Sequence, residues 1–220
     1  MLWYLLRTWP GREEMLVKEI QKTVPSYLYQ EVFVIYNERI WRRQGESIIH
    51  AEPLFPGCVF LTCEKTDPFF MYIQRVPAMS ALLASGELSA YPLMDADTEF
   101  LEQITDESHV IRLSYVLREE DHTYLVDGSL ADLIPDITGI EFRKRFVKIQ
   151  KRLWGEEQVL VLGIRLKEDL DQAFQPSKRC TQMKIETSNE GRKIYKMEQK
   201  LTLLPEYTDC LLYTSDAADD

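Results

Sequence analysis

Histidine and cysteine are scarce in this chain, and no apolar run approaches the length of a bilayer. The three histidines of the 220 residues, His50, His109 and His122, are scattered, and none lies in His-x-x-x-His or beside a cysteine at ligand spacing. That spacing offers no zinc site. Gly-x-Ser-x-Gly, Gly-x-x-x-x-Gly-Lys-[Ser/Thr] and Gly-x-Gly-x-x-Gly are also missing, so neither a nucleophile elbow nor a phosphate-cradling loop is encoded. The carboxylate pairs Glu13-Glu14 and Glu119-Glu120 read as solvated helix-start and loop residues. No enzyme, cofactor or metal is expected. The longest apolar runs, such as residues 159–162, fall far short of the roughly 20 residues a spanning helix needs. The N-terminal run meets Arg7 too early for a signal-peptide core and no basic stretch precedes it. The expected location is therefore the cytoplasm, away from any membrane.

The four cysteines form no Cys-x-x-Cys pair. Cys58 and Cys63 lie five apart in a strand-like segment and so face opposite ways, while Cys180 and Cys210 are isolated. Reduced, structural thiols are expected. Positive charge is also in deficit, with a formal net charge of -10. Its distribution matters more than its total. Between residues 115 and 167 nine acidic side chains meet nine basic ones, and six of those basic residues fall within 143–152. The acidity collects in 87–107 and in the tail beyond Lys167, which leaves room for a basic patch on an acidic chain.

Along the chain, residues 3–8 read as a buried strand ended by Pro10-Gly11. Arg12-Glu13-Glu14 opens a helix with an apolar stripe of Leu16, Ile20 and Val24, closed by Pro25. Residues 31–36 are apolar on both faces, as in a central strand. Asn37-Glu38 reads as a hairpin turn into a basic ribbon, Arg39, Arg42 and Arg43 around Trp41. Phe55-Pro56-Gly57 leads into a strand over 58–63. Asp67 and Pro68 suit the N-cap and first position of a helix, and a short helix follows near 97–103. This order predicts an α+β domain, an antiparallel sheet flanked by helices. Beyond it the pattern is all strand, over 124–126, 134–138, 145–153 and 158–166, with turns at Gly139 and Trp154-Gly155. Such close spacing predicts a small barrel. Residues 145–153 fit a helical period as well, through Phe146, Ile149 and Leu153. In strand form, Val147 and Ile149 face inward while Lys148, Gln150 and Arg152 face out. The expected organisation is a domain at 1–106, a linker at 107–114, a barrel at 115–168 and a poorly ordered tail at 169–220. The last ten residues resemble a translated sequencing adapter and are expected to belong to neither domain.

Trp3-Tyr4, Gly11-x-Glu13 and Leu54-Phe55-Pro56-Gly57, in that order and spacing, resemble the NusG N-terminal domain. Gly128-Ser129-Leu130, Arg143-Lys144-Arg145, Gly155 and Leu162-Gly163-Ile164 resemble a KOW domain, an SH3-like barrel. Cys58 stands where the family usually has an aromatic residue, and Ser129 where KOW domains usually have proline. Within the family the likeness is to specialised paralogues of the LoaP and RfaH type. The resemblance implies a transcription elongation and antitermination factor whose N-terminal domain docks on the RNA polymerase clamp. It implies a polymerase-binding set of Tyr4, Trp9, Phe55, Pro56 and Cys58. It also places Arg7 and Arg12 where relatives touch the displaced, non-template DNA strand or an RNA hairpin. Arg143, Lys144, Arg145, Lys148 and Arg152 form the expected nucleic-acid edge of the barrel, which can also engage a ribosomal protein or a termination factor. The alternative is a general RNA-binding or ribosome-associated KOW protein with no polymerase role.

Overall fold

The computed structural model describes residues 2–43, 46–83, 90–119, 122–169, 181–187 and 193–201. Cys180, Cys210 and the adapter-like segment lie outside these residues. The chain forms two compact units, each assembled from several stretches. The first comprises Met1–Glu38, Ala51–Ile111 and Lys151–Leu160, the second Arg39–His50, Arg112–Gln150 and Val161–Asp220.

The α+β part begins with β1 (Leu2–Arg7), α1 (Glu13–Thr23), β2 (Glu31–Phe33), β3 (Tyr36–Arg43), β4 (Glu46–Pro53) and β5 (Cys58–Cys63). It continues through α2 (Thr66–Ile73), α3 (Pro77–Ser80), β6 (Ala90–Pro92), α4 (Asp95–Ile104) and β7 (Val110–Ile111). Four strands make its sheet in the order β2-β5-β1-β6. Leu5 pairs with Phe60 on one side and Tyr91 on the other. All six residues of β5 are buried, as a strand covered on both faces requires. On one face Leu6, Val59, Leu61 and Cys63 pack with Leu16 and Ile20 of α1, Phe69 and Ile73 of α2, and Met79. Each fully buried side chain of this size is worth about 1.5–3 kcal/mol. The other face is aromatic: Trp3 meets Phe33 edge-on at 5.1 Å, and Phe33 stacks on Phe60 at 5.8 Å.

Three local expectations change. Residues 31–36 are not one strand: β2 ends at Phe33 and β3 begins at Tyr36, and between them the Ile35 carbonyl accepts the Leu54 N–H at 2.9 Å. No hairpin turn forms at Asn37-Glu38 either. Asn37 is buried opposite Ile111 of β7, so β3 continues to Arg43 and β4 begins at Glu46. Helix α2 starts two residues early, at Thr66, and Asp67 sits in its first turn rather than at its cap, still favourably placed against the helix dipole.

The remainder is all β. It comprises β8 (Ser114–Glu119), β9 (His122–Asp127), β10 (Ile137–Glu141), β11 (Phe146–Leu153), β12 (Glu156–Arg165), β13 (Thr181–Thr187) and β14 (Lys193–Leu201). These strands form a curled sheet of SH3-like character in the order β10-β11-β12-β8-β9-β13-β14. Antiparallel pairing joins β8 to β9, whereas β8 meets β12 in parallel, Ser114 opposite Ile164. The strand expected at 134–138 starts only at Ile137, after a 3₁₀ segment over Ser129–Asp136. Pro135 lacks the N–H a ladder needs, and Leu130, Leu133 and Ile134 bury one side of the turn instead. Gly128 has φ +114°, and a Cβ there would stand 2.4 Å from the Ser114 hydroxyl oxygen, so no other residue fits this crossing. Among the described residues no helix is long and apolar enough to cross a membrane.

Candidate functional site

The first unit brings two of the sequence landmarks into one loop cluster. Gly57 takes φ +77°, and a Cβ on it would lie 2.8 Å from the Thr8 carbonyl oxygen. The Thr8 N–H donates to the Gly57 carbonyl at 2.9 Å, which ties the end of β1 to the start of β5. From the other side, Glu13 Oε1 accepts the Gly57 N–H at 2.6 Å. The reading of Glu13 as a solvated helix-start residue is therefore corrected. Its side chain is 3% exposed because the Phe55-Pro56-Gly57 turn closes over it and uses its carboxylate. Glu14 does stay exposed, and its carboxylate accepts the Tyr36 hydroxyl.

The five expected polymerase-binding residues divide three ways. Trp9 and Pro56 are exposed on the cluster. Phe55 and Cys58 are buried beneath it, at 7% and 2% exposure. Phe55 meets Phe60 edge-on at 6.0 Å and Trp154 at 4.9 Å. Tyr4 does not join them: half-buried, it packs edge-on against Phe70 of the helix-side core at 6.2 Å, on the opposite face of β1. Strand alternation is the reason, since Leu5 and Arg7 face the Phe60 side and Tyr4 and Leu6 the helices.

Arg7 is half-buried, and its Nη1 donates to Cys58 Sγ at 3.0 Å. Burial pushes the Cys58 thiol up from its ordinary value, an effect the Arg7 charge opposes and Glu13 reinforces. The thiol therefore stays protonated and serves as packing. Arg7 also lines a cleft of about 490 Å³ together with Leu5, Tyr91, Pro92, Asp97 and Trp154. Arg12 is exposed and reaches the Ala81 carbonyl at 3.3 Å.

Sequence reasoning missed Trp154, which it took for a turn residue. Its φ is +40°, its ring lies on Phe55, and its backbone N–H donates to Asp97 Oδ2 at 3.2 Å. The available signal was a tryptophan beside a glycine at a hairpin tip, where a solvated turn favours small polar residues. His109 was passed over too. In a left-handed conformation at φ +57°, it stacks on Phe33 at 3.5 Å and pairs with Glu31 at 2.9 Å.

In the second unit the basic edge takes the expected alternation. Val147 and Ile149 are buried, whereas Arg143, Lys144 and Lys148 are exposed. Arg152 is exposed as well, on the end of β11 that belongs to the first unit. Arg145 is the correction. It has φ +58° and is 2% exposed. Its Nε donates to Asp169 Oδ2 at 2.5 Å and its Nη2 to Oδ1 at 3.2 Å, while Nη1 reaches the Phe142 carbonyl. Asp169 Oδ2 also accepts the Leu166 N–H at 3.0 Å. A guanidinium that is 2% exposed and committed to a buried fork is out of reach of phosphate. Arg145 fastens the turn before β11 to the turn after β12. Among the described residues, no three His, Cys, Asp or Glu side chains converge as a metal site.

Comparison with known proteins adds the following. Residues 1–102 match the family model described as "Transcription termination factor nusG". The chain is similar to the transcription termination/antitermination protein NusG of Bacillus subtilis, 23% identical over 162 residues, covering 70% of this chain and 90% of that protein. It is likewise similar to the NusG of Halalkalibacterium halodurans, 22% identical over 163 residues with the same coverage, and to that of Staphylococcus aureus, 21% identical over 162 residues. A solved structure titled "Domain interaction in Thermotoga maritima NusG" covers 74% of this chain and is 93% covered itself, at TM-score 0.39 and 18% identity.

Proposed function

We propose, from the NusG-type match of residues 1–102, that this chain is a transcription elongation and antitermination factor that binds the RNA polymerase clamp. The observation that supports this most directly is the similarity to proteins named for transcription termination and antitermination, along 90% of the Bacillus relative's length. Binding and not chemistry is the mode of action. A factor that binds the unpaused elongation complex more tightly than the paused one shifts the population toward elongation, by no more than its differential affinity.

The docking surface is the loop cluster. Trp9 and Pro56 are its exposed apolar contacts, held in place by the Glu13 and Thr8 hydrogen bonds to Gly57. Phe55 and Cys58 support it from beneath. Arg143, Lys144 and Lys148 supply a nucleic-acid edge, and a signal read by that edge, by Arg152 or by Arg7 and Arg12 directs the factor to selected operons. The whole chain, with Trp9→Ala or Pro56→Asp variants, is tested for polymerase co-purification and for readthrough in an elongation assay with purified polymerase. Either exposed-site variant is expected to lose polymerase while keeping its circular dichroism. Polymerase-independent RNA binding, with co-purification absent in the unaltered chain, would instead establish a general RNA-binding protein. Phe55→Asp is an unsuitable probe, because it buries a carboxylate against Phe60 and unfolds the site it is meant to report on.

A further inference from the structure

The β3–β4 ribbon and the outer face of β11 are far apart in sequence, yet both contribute to the second unit. They meet at one aromatic ring. The Arg39 guanidinium lies 5.2 Å from the centre of Phe146, and Lys148 Nζ lies 5.9 Å from the same centre. Two residues beyond Arg39, and on the same side of β3 by alternation, Trp41 is 61% exposed with its ring 3.8 Å from that of His50 on β4. Ile40, between them, is buried, which fixes the outward direction of Arg39 and Trp41.

A ribbon whose task is to keep a sheet edge soluble carries charge or proline; a bare indole works against that task. Trp41, backed by a second ring and followed by a cation-bearing surface, has the make-up of a stacking platform. On a chain with a net charge of -10, a polyanion is held only where basic groups gather, and here they gather beside an open aromatic face. Bases within a duplex have no free face to offer, whereas those of a single strand do.

We propose that Trp41, Arg39, Phe146 and Lys148 form one binding surface for single-stranded nucleic acid, with a base stacked on Trp41 and the backbone running toward Lys148 and Arg143. This rests on the nucleic-acid reading of the β11 edge above and adds the ribbon to it. The test measures the anisotropy of fluorescein-labelled oligouridine, oligothymidine and a duplex, each about ten nucleotides or base pairs, with the full chain over a range of salt. Trp41→Ala is expected to weaken both single strands by about tenfold without altering the salt slope, and Trp41→Phe to restore most of the affinity. Lys148→Ala is expected to lower that slope by about one. Equal affinity for the two single strands assigns recognition to base and phosphate; preference for oligouridine adds a contact to the 2′-hydroxyl. If Trp41→Ala binds as the unaltered chain does while Lys148→Ala is weakened, the ribbon is no part of the surface and only the edge reading survives. If the unaltered chain binds none of the three probes at low salt, both fall.

Discussion

Replacing Arg145 by alanine tests whether this arginine is a fastening or a ligand contact. Its guanidinium and the Asp169 carboxylate are 3% and 0% exposed, and the pair is bidentate. Removing the cation leaves a buried carboxylate that still accepts the Leu166 N–H but has lost its bidentate counter-charge. Breaking a buried pair from one side costs about 3–5 kcal/mol, most of it the penalty of the stranded charge. Exposed Lys148, by contrast, should change stability by less than about 0.5 kcal/mol when truncated. Arg145→Lys should recover only part of the loss, because an ammonium cannot match both carboxylate oxygens at once. Arg145→Gly should be slightly less damaging than Arg145→Ala, since φ +58° burdens any residue with a Cβ by about 1 kcal/mol or more.

The assay is urea unfolding followed by circular dichroism, combined with hydrogen exchange at the Leu166 amide, which Asp169 holds. Exchange there should accelerate in Arg145→Ala and stay slow in Lys148→Ala. Loss of RNA affinity by Arg145→Ala with stability unchanged and the Leu166 amide still protected would refute the fastening and return Arg145 to the binding edge.

Other consequences follow from the loop cluster and the aromatic face. Gly57→Ala should destabilise the first unit by roughly 1–2 kcal/mol or more, since the new Cβ meets the Thr8 carbonyl and the backbone is left-handed, and Glu13→Ala by about 1–3 kcal/mol through the orphaned Gly57 N–H; thermal unfolding reads both. Folded protein at pH 8 should leave Cys58 and Cys63 unlabelled by iodoacetamide in peptide mapping, and urea should expose both, because burial raises both thiols. Tyr36 is raised as well, first by burial and then by its bond to Glu14. In all three the folded form holds its proton more tightly than the unfolded chain. That stability is therefore fully present below the unfolded values, about 8.5 for cysteine and 10 for tyrosine, and is lost as pH rises through the folded ones. A urea midpoint that fails to decline above about pH 9 would contradict this. Trp154→Ala should loosen the support that Phe55 gives the docking surface and lower polymerase recovery in the co-purification assay; unchanged recovery would mean that docking does not depend on Phe55.

The elements legible in the sequence were those whose signal is local. The stripe of α1, the buried strand β5 and the alternation of β11 each repeat within a few residues, so periodicity alone located them. The break at Val34-Ile35 was not legible, because two consecutive apolar residues look the same inside a strand or at a bend. What decides between them is Ile35 accepting the Leu54 N–H at 2.9 Å, a contact from nineteen residues away in the sequence. The 3₁₀ segment over Ser129–Asp136 was misjudged for a different reason. Its apolar residues suit a strand, and only the donor missing from Pro135 argues against one.

The candidate site shows the same division more sharply. Exposed cations on β11 could be placed by counting twos, but nothing near Arg145 announces that its partner is Asp169, 24 residues on and beyond a whole hairpin. Glu13 is the mirror case. A glutamate in the first turn of a helix is so well explained by the dipole that no second role was sought, yet its carboxylate reaches 44 residues ahead to close the Gly57 turn. In both, one charged side chain serves a distant backbone or carboxylate, and charge patterning alone assigns it to solvent. Trp41 and Arg39 stand on the other side of this division. The ribbon could be read locally, but its meeting with Lys148 over Phe146 required the fold. Two basic segments that looked like separate, ordinary surface thereby become one surface with an aromatic platform, and that convergence, more than the count of cations, marks it as a place for a single strand to bind.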